Sequence, residues 1–356
     1  MRPATVKTEQ FQVIQALRYV AALLVVINHS TFYVASRLVE GFPVWGQGSS
    51  GVDIFFVISG FVMIISSQGL AGQDHPARSF LVNRLVRIVP LYWMITTLKL
   101  AVLLSAPNLA LNSEIIPYHV LMSYLFIPAF NAKGELEPVL GVGWTLNFEM
   151  FFYVVFALAL ALKRSPIKFS LPIFITLSVI GFWKTPEWPA LTFWLNPLVL
   201  EFLAGMLIAR ACLNGLVLPK GIAVTAVVIG FALLLTDFGY FDPWYRGFRY
   251  GIPATLIVAG AVSLESVLKQ RIPAFISRLG DGSYALYLIH PILVPAIPAV
   301  FAKAGLQMPV LAVVLCAIAA TLVSYVVFML VERPLTRYLK SKLQGPRPVI
   351  SSAPLR

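Results

Sequence analysis

Long apolar stretches separated by short polar connections make up most of the chain. An α-helix needs roughly 20 mostly apolar residues to cross the hydrocarbon core of a bilayer. Ten runs of about this length lie at residues 13–35, 51–70, 84–105, 143–163, 167–183, 190–212, 219–237, 248–268, 283–304 and 308–331. The pattern predicts an all-α integral membrane protein, a bundle of about ten transmembrane helices.

The first run is predicted to stay in the membrane. It is too long for a cleavable signal, contains Arg18 and His29, and lacks a small-residue cleavage site. We expect one membrane domain over residues 1–340 and a basic, disordered tail over 341–356.

The distribution of basic residues predicts the orientation. With a cytoplasmic N-terminus, 19 of the 27 Lys and Arg residues fall in inner segments and six in outer ones. Basic residues collect on the cytoplasmic side of membrane proteins. Both termini are therefore predicted to be cytoplasmic, in the inner membrane of a bacterial cell.

Composition supports a membrane protein. The chain is 59% hydrophobic and 12% charged, about half the usual charge of soluble domains. This excludes soluble enzymes, disordered binders and nucleic-acid modules, and the net charge of +12 reflects the inner bias. Cys212 and Cys316 lie in apolar stretches and indicate neither a disulfide nor a metal site.

Two outer segments need separate interpretation. The connection 106–142 has an apolar middle, 119–130, that is too short to span. It is either a re-entrant or interfacial segment over a cavity, or an amphipathic surface piece. Residues 46–51 fit GxGxxG, but no strand precedes them. We interpret them as a flexible outer turn.

Four charges lie within the predicted spans: Arg18, Asp53, Glu149 and Glu201. Each would cost about 2.5–3.5 kcal/mol if it faced lipid at mid-bilayer. Snorkelling toward a helix end explains Lys99 well and Glu201 poorly. The four charges predict a polar interior.

Arg18 and His29 share one face of the first helix. Eleven residues at about 100° each come within about 20° of three full turns, with a rise of about 16 Å. A membrane histidine commonly packs or links helices. The alignment of His29 with Arg18 instead favours a catalytic role for His29.

Run boundaries place Asp53, Glu149 and His29 in one outer-half layer. A carboxylate on one imidazole nitrogen would leave the other nitrogen as a general base. Arg84 and Arg87 open the third span and suit a phosphate-rich ligand, although positive-inside anchoring explains them equally.

His290 precedes Pro291 in the ninth span, about seven residues from its cytoplasmic end. Because a proline frees a backbone carbonyl, a structural use of His290 is favoured. A role near the donor substrate is the second interpretation.

These residues fall in motifs that resemble acyltransferase family 3, integral membrane proteins with about ten spans that acylate cell-surface glycans and other acceptors. The pair Arg18 and His29 matches the family's first-span motif. Further matches lie at residues 51–61, 84–90, 144–153, 201–205, 282–291 and 332–334. Within the family the chain is most similar to the exopolysaccharide and O-antigen O-acetyltransferases. It resembles a stand-alone form, without the extracytoplasmic esterase-like domain that is fused to some family members.

The resemblance implies a transferase of groups other than aminoacyl groups. It also implies cytoplasmic acyl-CoA, specifically acetyl-CoA, as the donor substrate, and no permanently bound cofactor. Its phosphates would meet Arg18, Arg84 and Arg87. His29 would be the general base, assisted by Asp53 or Glu149. The remaining candidates for the substrate or oxyanion site are Ser59, Trp144, Tyr153, Glu201 and His290.

Direct transfer and a covalent acyl-Ser59 intermediate both remain open, although Ser-Gly in a membrane helix usually serves close packing. The expected partners are a saccharide acceptor, the lipid bilayer and polysaccharide-assembly proteins, with no nucleic acid. The alternative function is a proton-coupled transporter or flippase that uses the same buried charges. Transporters often have repeated halves, and the sequence shows none. A non-catalytic scaffold would tolerate changes at His29 and Arg18.

Overall fold

The computed structural model describes residues 11–70, 72–105, 115–185, 187–237 and 245–344. Within these ranges the chain forms helices and turns and contains no strand. The helices are α1 (Gln12–Arg37), α2 (Gly51–Ser67), α3 (Pro76–Ser105), α4 (Pro117–Tyr124), α5 (Trp144–Ala161), α6 (Pro166–Gly181), α7 (Val199–Leu213), α8 (Lys220–Leu235), α9 (Ile252–Ser263), α10 (Glu265–Leu268), α11 (Ala274–Asp281), α12 (Ser283–Leu293), α13 (Ala296–Lys303), α14 (Pro309–Val327) and α15 (Arg333–Gln344). The predicted all-helical fold is confirmed.

Seven described segments are long and apolar enough to cross a membrane, as expected of a multi-pass membrane protein. They are Gln12–Arg37, Gly46–Leu70, Pro76–Ser105, Gly141–Ala161, Ala190–Leu213, Ser283–Lys303 and Pro309–Leu343. The other three predicted runs contain shorter helices. These are α6, α8, and the consecutive pair α9 and α10. The π-helical turn Gly247–Gly251 directly precedes α9. The count of ten spans and the positions of the termini stay predictions.

Helix α2 lies at the centre of the bundle and is the most buried of the seven segments. It packs closely along α7. A Cβ atom on Gly60 would lie 2.0 Å from the carbonyl oxygen of Phe202, and one on Gly205 would lie 1.9 Å from that of Val57. Small residues permit this approach between membrane helices. The contact brings two acid-bearing helices together.

The segment that precedes α2 descends along α1. Cβ atoms on Gly48 and Gly51 would lie 2.4 and 2.1 Å from carbonyl oxygens of α1, the second belonging to Ala21. The prediction of a flexible outer turn is therefore wrong, because a close backbone approach requires both glycines. Helix α2 consequently begins level with Ala21, eight residues, or about 12 Å, before His29 on α1.

Two other predicted segments are described in part. In the connection 106–142, residues 106–114 lie outside the described ranges, and α4 packs on α3. The indole Nε1 of Trp93 donates to the carbonyl oxygen of Tyr124 at 2.8 Å. Helix α15 continues through the expected domain boundary at residue 340 to Gln344. The rest of the predicted tail, 345–356, is outside the described residues, as are residues 1–10.

Candidate active site

A cavity of about 750 Å³, its open mouth included, lies between α1, α2, α3, α5 and α12. Six predicted site residues line it: Arg18, Ser59, Arg84, Arg87, Glu149 and Tyr153. The structure thus joins the predicted phosphate-binding arginines with one of the predicted carboxylates. The remaining predicted site residues are outside this lining: His29, Asp53, Trp144, Glu201 and His290.

Three arginines give the cavity a positive wall. Arg18 donates from Nη1 to Oε1 of Gln15 at 3.1 Å, and Arg84 donates to the hydroxyl of Ser66. Arg87 repels both electrostatically. The acids that attract Arg18 are Glu149, Asp281 and Glu332. Guanidinium groups present several donors in a geometry that matches phosphate oxygens. The cavity can therefore bind a polyanion.

Glu149 projects from α5 into the same cavity. Its Oε1 accepts hydrogen bonds from the hydroxyl of Ser59 at 2.8 Å and from that of Tyr153 at 2.6 Å. It also attracts Arg18 and Arg84. Glu149 is therefore a counter-ion to the arginines and an acceptor for two hydroxyl groups.

The hydrogen-bond partner of His29 is His290. Nδ1 of His29 lies 2.7 Å from Nε2 of His290. The ring planes are 18° apart and the centroids are separated by 4.9 Å, so the two imidazoles lie edge to edge. The prediction that His29 contacts Asp53 or Glu149 is therefore wrong. Among the described residues, the hydrogen bonds of these carboxylates go to other groups.

Two packing features explain the correction. Helix α2 begins about 12 Å before His29 along α1, so Asp53 lies far below the imidazole. Helix α11 packs on α1, with Gly280 against the backbone of Gln15. Helix α12 therefore starts deep in the bundle, and seven residues are enough to carry His290 to His29. The predicted single layer of Asp53, Glu149 and His29 is wrong.

Asp53 belongs to a second buried charge cluster. Nη2 of Arg246 donates to its Oδ2 at 2.7 Å, while the Asp53 side chain is fully buried. Glu201 is buried next to Asp53 and interacts with it and with Arg246 electrostatically. In the described part of the chain neither carboxyl oxygen of Glu201 has a hydrogen-bond partner. The ion pair between Arg246 and Asp53 is therefore the polar contact that defines this cluster.

Arg246 is the partner that sequence reasoning missed, because it was counted as an outer residue. The available signal was its position two residues before the predicted run 248–268. Trp144 lies beside it, with the guanidinium 6.0 Å from the ring centroid. A place for Trp144 in an oxyanion site near the cavity is therefore not supported.

Tyr287 separates the cavity from the histidine pair. It lines the cavity, and its ring centroid is 5.9 Å from that of His290. Its hydroxyl donates to the carbonyl oxygen of Val142 and lies 3.1 Å from Oγ1 of Thr145. Arg18 therefore lines the cavity, whereas His29, predicted on the same face of α1, lies beyond Tyr287.

The fold and the cavity define a helical membrane protein with a polar, arginine-lined interior, and the chain belongs to a family of acyltransferases. The model for the acyltransferase domain matches residues 11–329. The protein is 36% identical over 319 residues to the exopolysaccharide production protein ExoZ of Rhizobium meliloti (strain 1021), covering 86% of this chain and 94% of ExoZ. It is 27% identical over 276 residues to the acyltransferase MdmB of Streptomyces mycarofaciens, covering 68% of this chain and 67% of MdmB. No solved structure matches the chain.

Proposed function

We propose that the protein moves an acetyl group from cytoplasmic acetyl-CoA to a hydroxyl of a cell-surface glycan or lipid-linked saccharide. The observation that carries the proposal is the cavity with three arginines on its wall and the histidine pair behind Tyr287. The similarity to an exopolysaccharide production protein supports a saccharide acceptor. The proposal includes the bacterial inner membrane, cytoplasmic termini and ten spans.

The donor is bound through its phosphates by Arg18, Arg84 and Arg87, with Glu149 as their counter-ion. The rise between Arg18 and His29 is about 16 Å, which a pantetheine arm can cover. Tyr287 must turn aside for the thioester to reach His29. The acceptor saccharide enters from the opposite side of the membrane.

Transfer proceeds directly. Nε2 of His29 takes the proton of the acceptor hydroxyl, whose oxygen attacks the thioester carbonyl. The new C–O bond forms as the C–S bond breaks, and the CoA thiolate leaves with the proton from the imidazolium. Asp53, paired with Arg246, lies far below His29 and takes no direct part in the transfer. Arg18 is about 16 Å from His29 along α1, and the Tyr153 hydroxyl is bonded to Glu149 in the cavity. Neither residue is therefore proposed to stabilise the oxyanion at His29.

A transfer assay tests the proposal. Detergent-purified protein is given acetyl-CoA labelled in the acetyl group together with a saccharide acceptor. We expect labelled ester in the wild type and a loss of about 10²-fold or more in His29→Gln, as for removal of a general base. The matched control is His75→Gln, because His75 lies exposed before α3.

Full activity in His29→Gln would contradict the proposal. Transport of a saccharide or of protons that survives this substitution without acyl transfer would support the transporter instead. NMR of the surface glycan, from cells with and without the protein, identifies the modified hydroxyl through the O-acetyl signals that are lost.

A further inference from the structure

A single proton lies between the facing ring nitrogens of His29 and His290. A nitrogen–nitrogen distance of 2.7 Å is a hydrogen bond in which one imidazole donates and the other accepts. Among the described residues neither ring is bonded to a carboxylate, and His290 is fully buried. An unpaired buried charge is costly, so the resting pair is neutral.

The second ring nitrogen of His290 decides which imidazole donates. Nδ1 of His290 lies 3.1 Å from the carbonyl oxygen of Leu286. A carbonyl oxygen only accepts, so this Nδ1 carries a proton. In a neutral imidazole Nε2 then bears a lone pair. Nδ1 of His29 must therefore be the donor, and Nε2 of His29 is left unprotonated.

Pro291 adds to this arrangement through the backbone of α12. Proline has no N–H group, so the carbonyl oxygen of Tyr287, four residues earlier, loses its helical donor. This carbonyl lies close enough to attract the imidazole of His290 electrostatically. Together with the hydrogen bond to the carbonyl oxygen of Leu286, it favours the proton on Nδ1 of His290.

We propose that His290 is a positioning residue that fixes His29 in the tautomer whose Nε2 is free to act as a base. The inference rests on the proposed function. When Nε2 of His29 takes the proton of the acceptor hydroxyl, Nδ1 stays bonded to His290, which orients and stabilises the imidazolium. His290 itself does not touch the substrate.

Steady-state kinetics on two variants test this role. His290→Phe keeps a ring and removes the acceptor, while His290→Gln keeps an oxygen that can accept from Nδ1 of His29. We expect His290→Phe to lower kcat by about 10²-fold or more, as for a base in the wrong tautomer. The KM for acetyl-CoA should stay within about twofold, and His290→Gln should keep at least about a tenth of wild-type kcat.

A purely structural role predicts a different pattern. Both variants would then lose stability and kcat together, and His290→Gln would restore nothing. Wild-type kcat in folded His290→Phe, or a selective rise of the KM for acetyl-CoA, overturns the inference.

Nitrogen-15 NMR of the wild type gives a readout that needs neither activity nor a folded variant. The chain has four histidines, so histidine-selective labelling gives few ring signals. We expect two rings with protonated Nδ1 and unprotonated Nε2, coupled across the hydrogen bond. An unprotonated Nδ1 on either coupled ring overturns the inference whatever the activity. Inactive wild-type protein with the expected signals overturns the proposed function.

Discussion

Arg246 neutralises a buried carboxylate and is therefore expected to stabilise the fold. Removing one partner of a buried ion pair typically costs about 3–5 kcal/mol, because the other charge stays behind without compensation. We expect Arg246→Met to lower the Tm clearly in detergent. Thermal unfolding is the measurement, with Arg271→Met, at an exposed position, as the control.

A second substitution separates charge from packing in this experiment. Adding Asp53→Asn to Arg246→Met removes the charge left behind and should recover part of the lost stability. A Tm equal to wild type in Arg246→Met, or no recovery in the double variant, would show that the pair is not coupled as described.

Ser59 donates to Glu149 and does not contact the histidine pair. Because transfer is proposed to be direct, Ser59→Ala should lower kcat less than about tenfold, the loss of one hydrogen bond of about 0.5–1.5 kcal/mol. The same labelled-acetyl assay measures it. A loss as large as that of His29→Gln, together with labelled protein in the wild type, would instead indicate an acyl-Ser59 intermediate.

Many residues of the candidate site were predictable from the sequence, but the contacts between them were not. Arg18 and Glu149 do line one cavity, as the cost of charge in a bilayer indicates. Arg84 and Arg87, predicted to suit a phosphate-rich ligand, line it as well. The pairing of His29 with His290 depends on how two distant helices rotate and slide, and no local pattern encodes this. Arg246 was missed because its run boundary placed it outside.

At the level of helices, α2 and α7 depend on glycine for their close contact. Gly205→Ala would place a Cβ atom 1.9 Å from a backbone oxygen of Val57, so the helices must separate. Overpacking of this kind typically costs about 1–3 kcal/mol. The comparison is Gly221→Ala in α8, where a Cβ meets nothing within 4 Å. Thermal unfolding should show a lower Tm for the first variant only.

Pro291 shapes α12 around the histidine pair. Pro291→Ala restores an N–H for the carbonyl of Tyr287, which then competes with His290. Because the contact to Leu286 remains, we expect kcat to fall about two- to tenfold, equivalent to a hydrogen bond of about 0.5–1.5 kcal/mol. Pro172→Ala, inside α6, is the control in the acetyl-transfer assay and should leave kcat unchanged.

The helices were predictable from the apolar runs, but the depth in the bundle at which each helix begins was not. The runs gave the seven long segments because burial in lipid demands continuous apolar sequence. Depth was inferred from run ends, which assumes that every helix starts at the membrane surface. Gly46–Ser50 and α11 break this assumption, since both pack along α1 and start the next helix deep inside.

For the whole molecule, the number of spans sets which side each loop faces. In a cysteine-free background, Lys133→Cys, His75→Cys and Leu216→Cys occupy exposed positions in three connections. Ten spans with a cytoplasmic N-terminus predict that an impermeant maleimide labels only Lys133→Cys in intact cells. Labelling of Leu216→Cys would mean that α6 does not cross the membrane.

The barrier at Tyr287 has a consequence for the cell as well as for the reaction. Buried charged and titratable side chains can conduct protons across a membrane that carries an ion gradient. While the Tyr287 hydroxyl keeps its bonds to α5 and the turn before it, the arginine-lined cavity stops short of the histidines. A ligand can then enter and leave the arginine-lined cavity without opening a path that discharges the ion gradient.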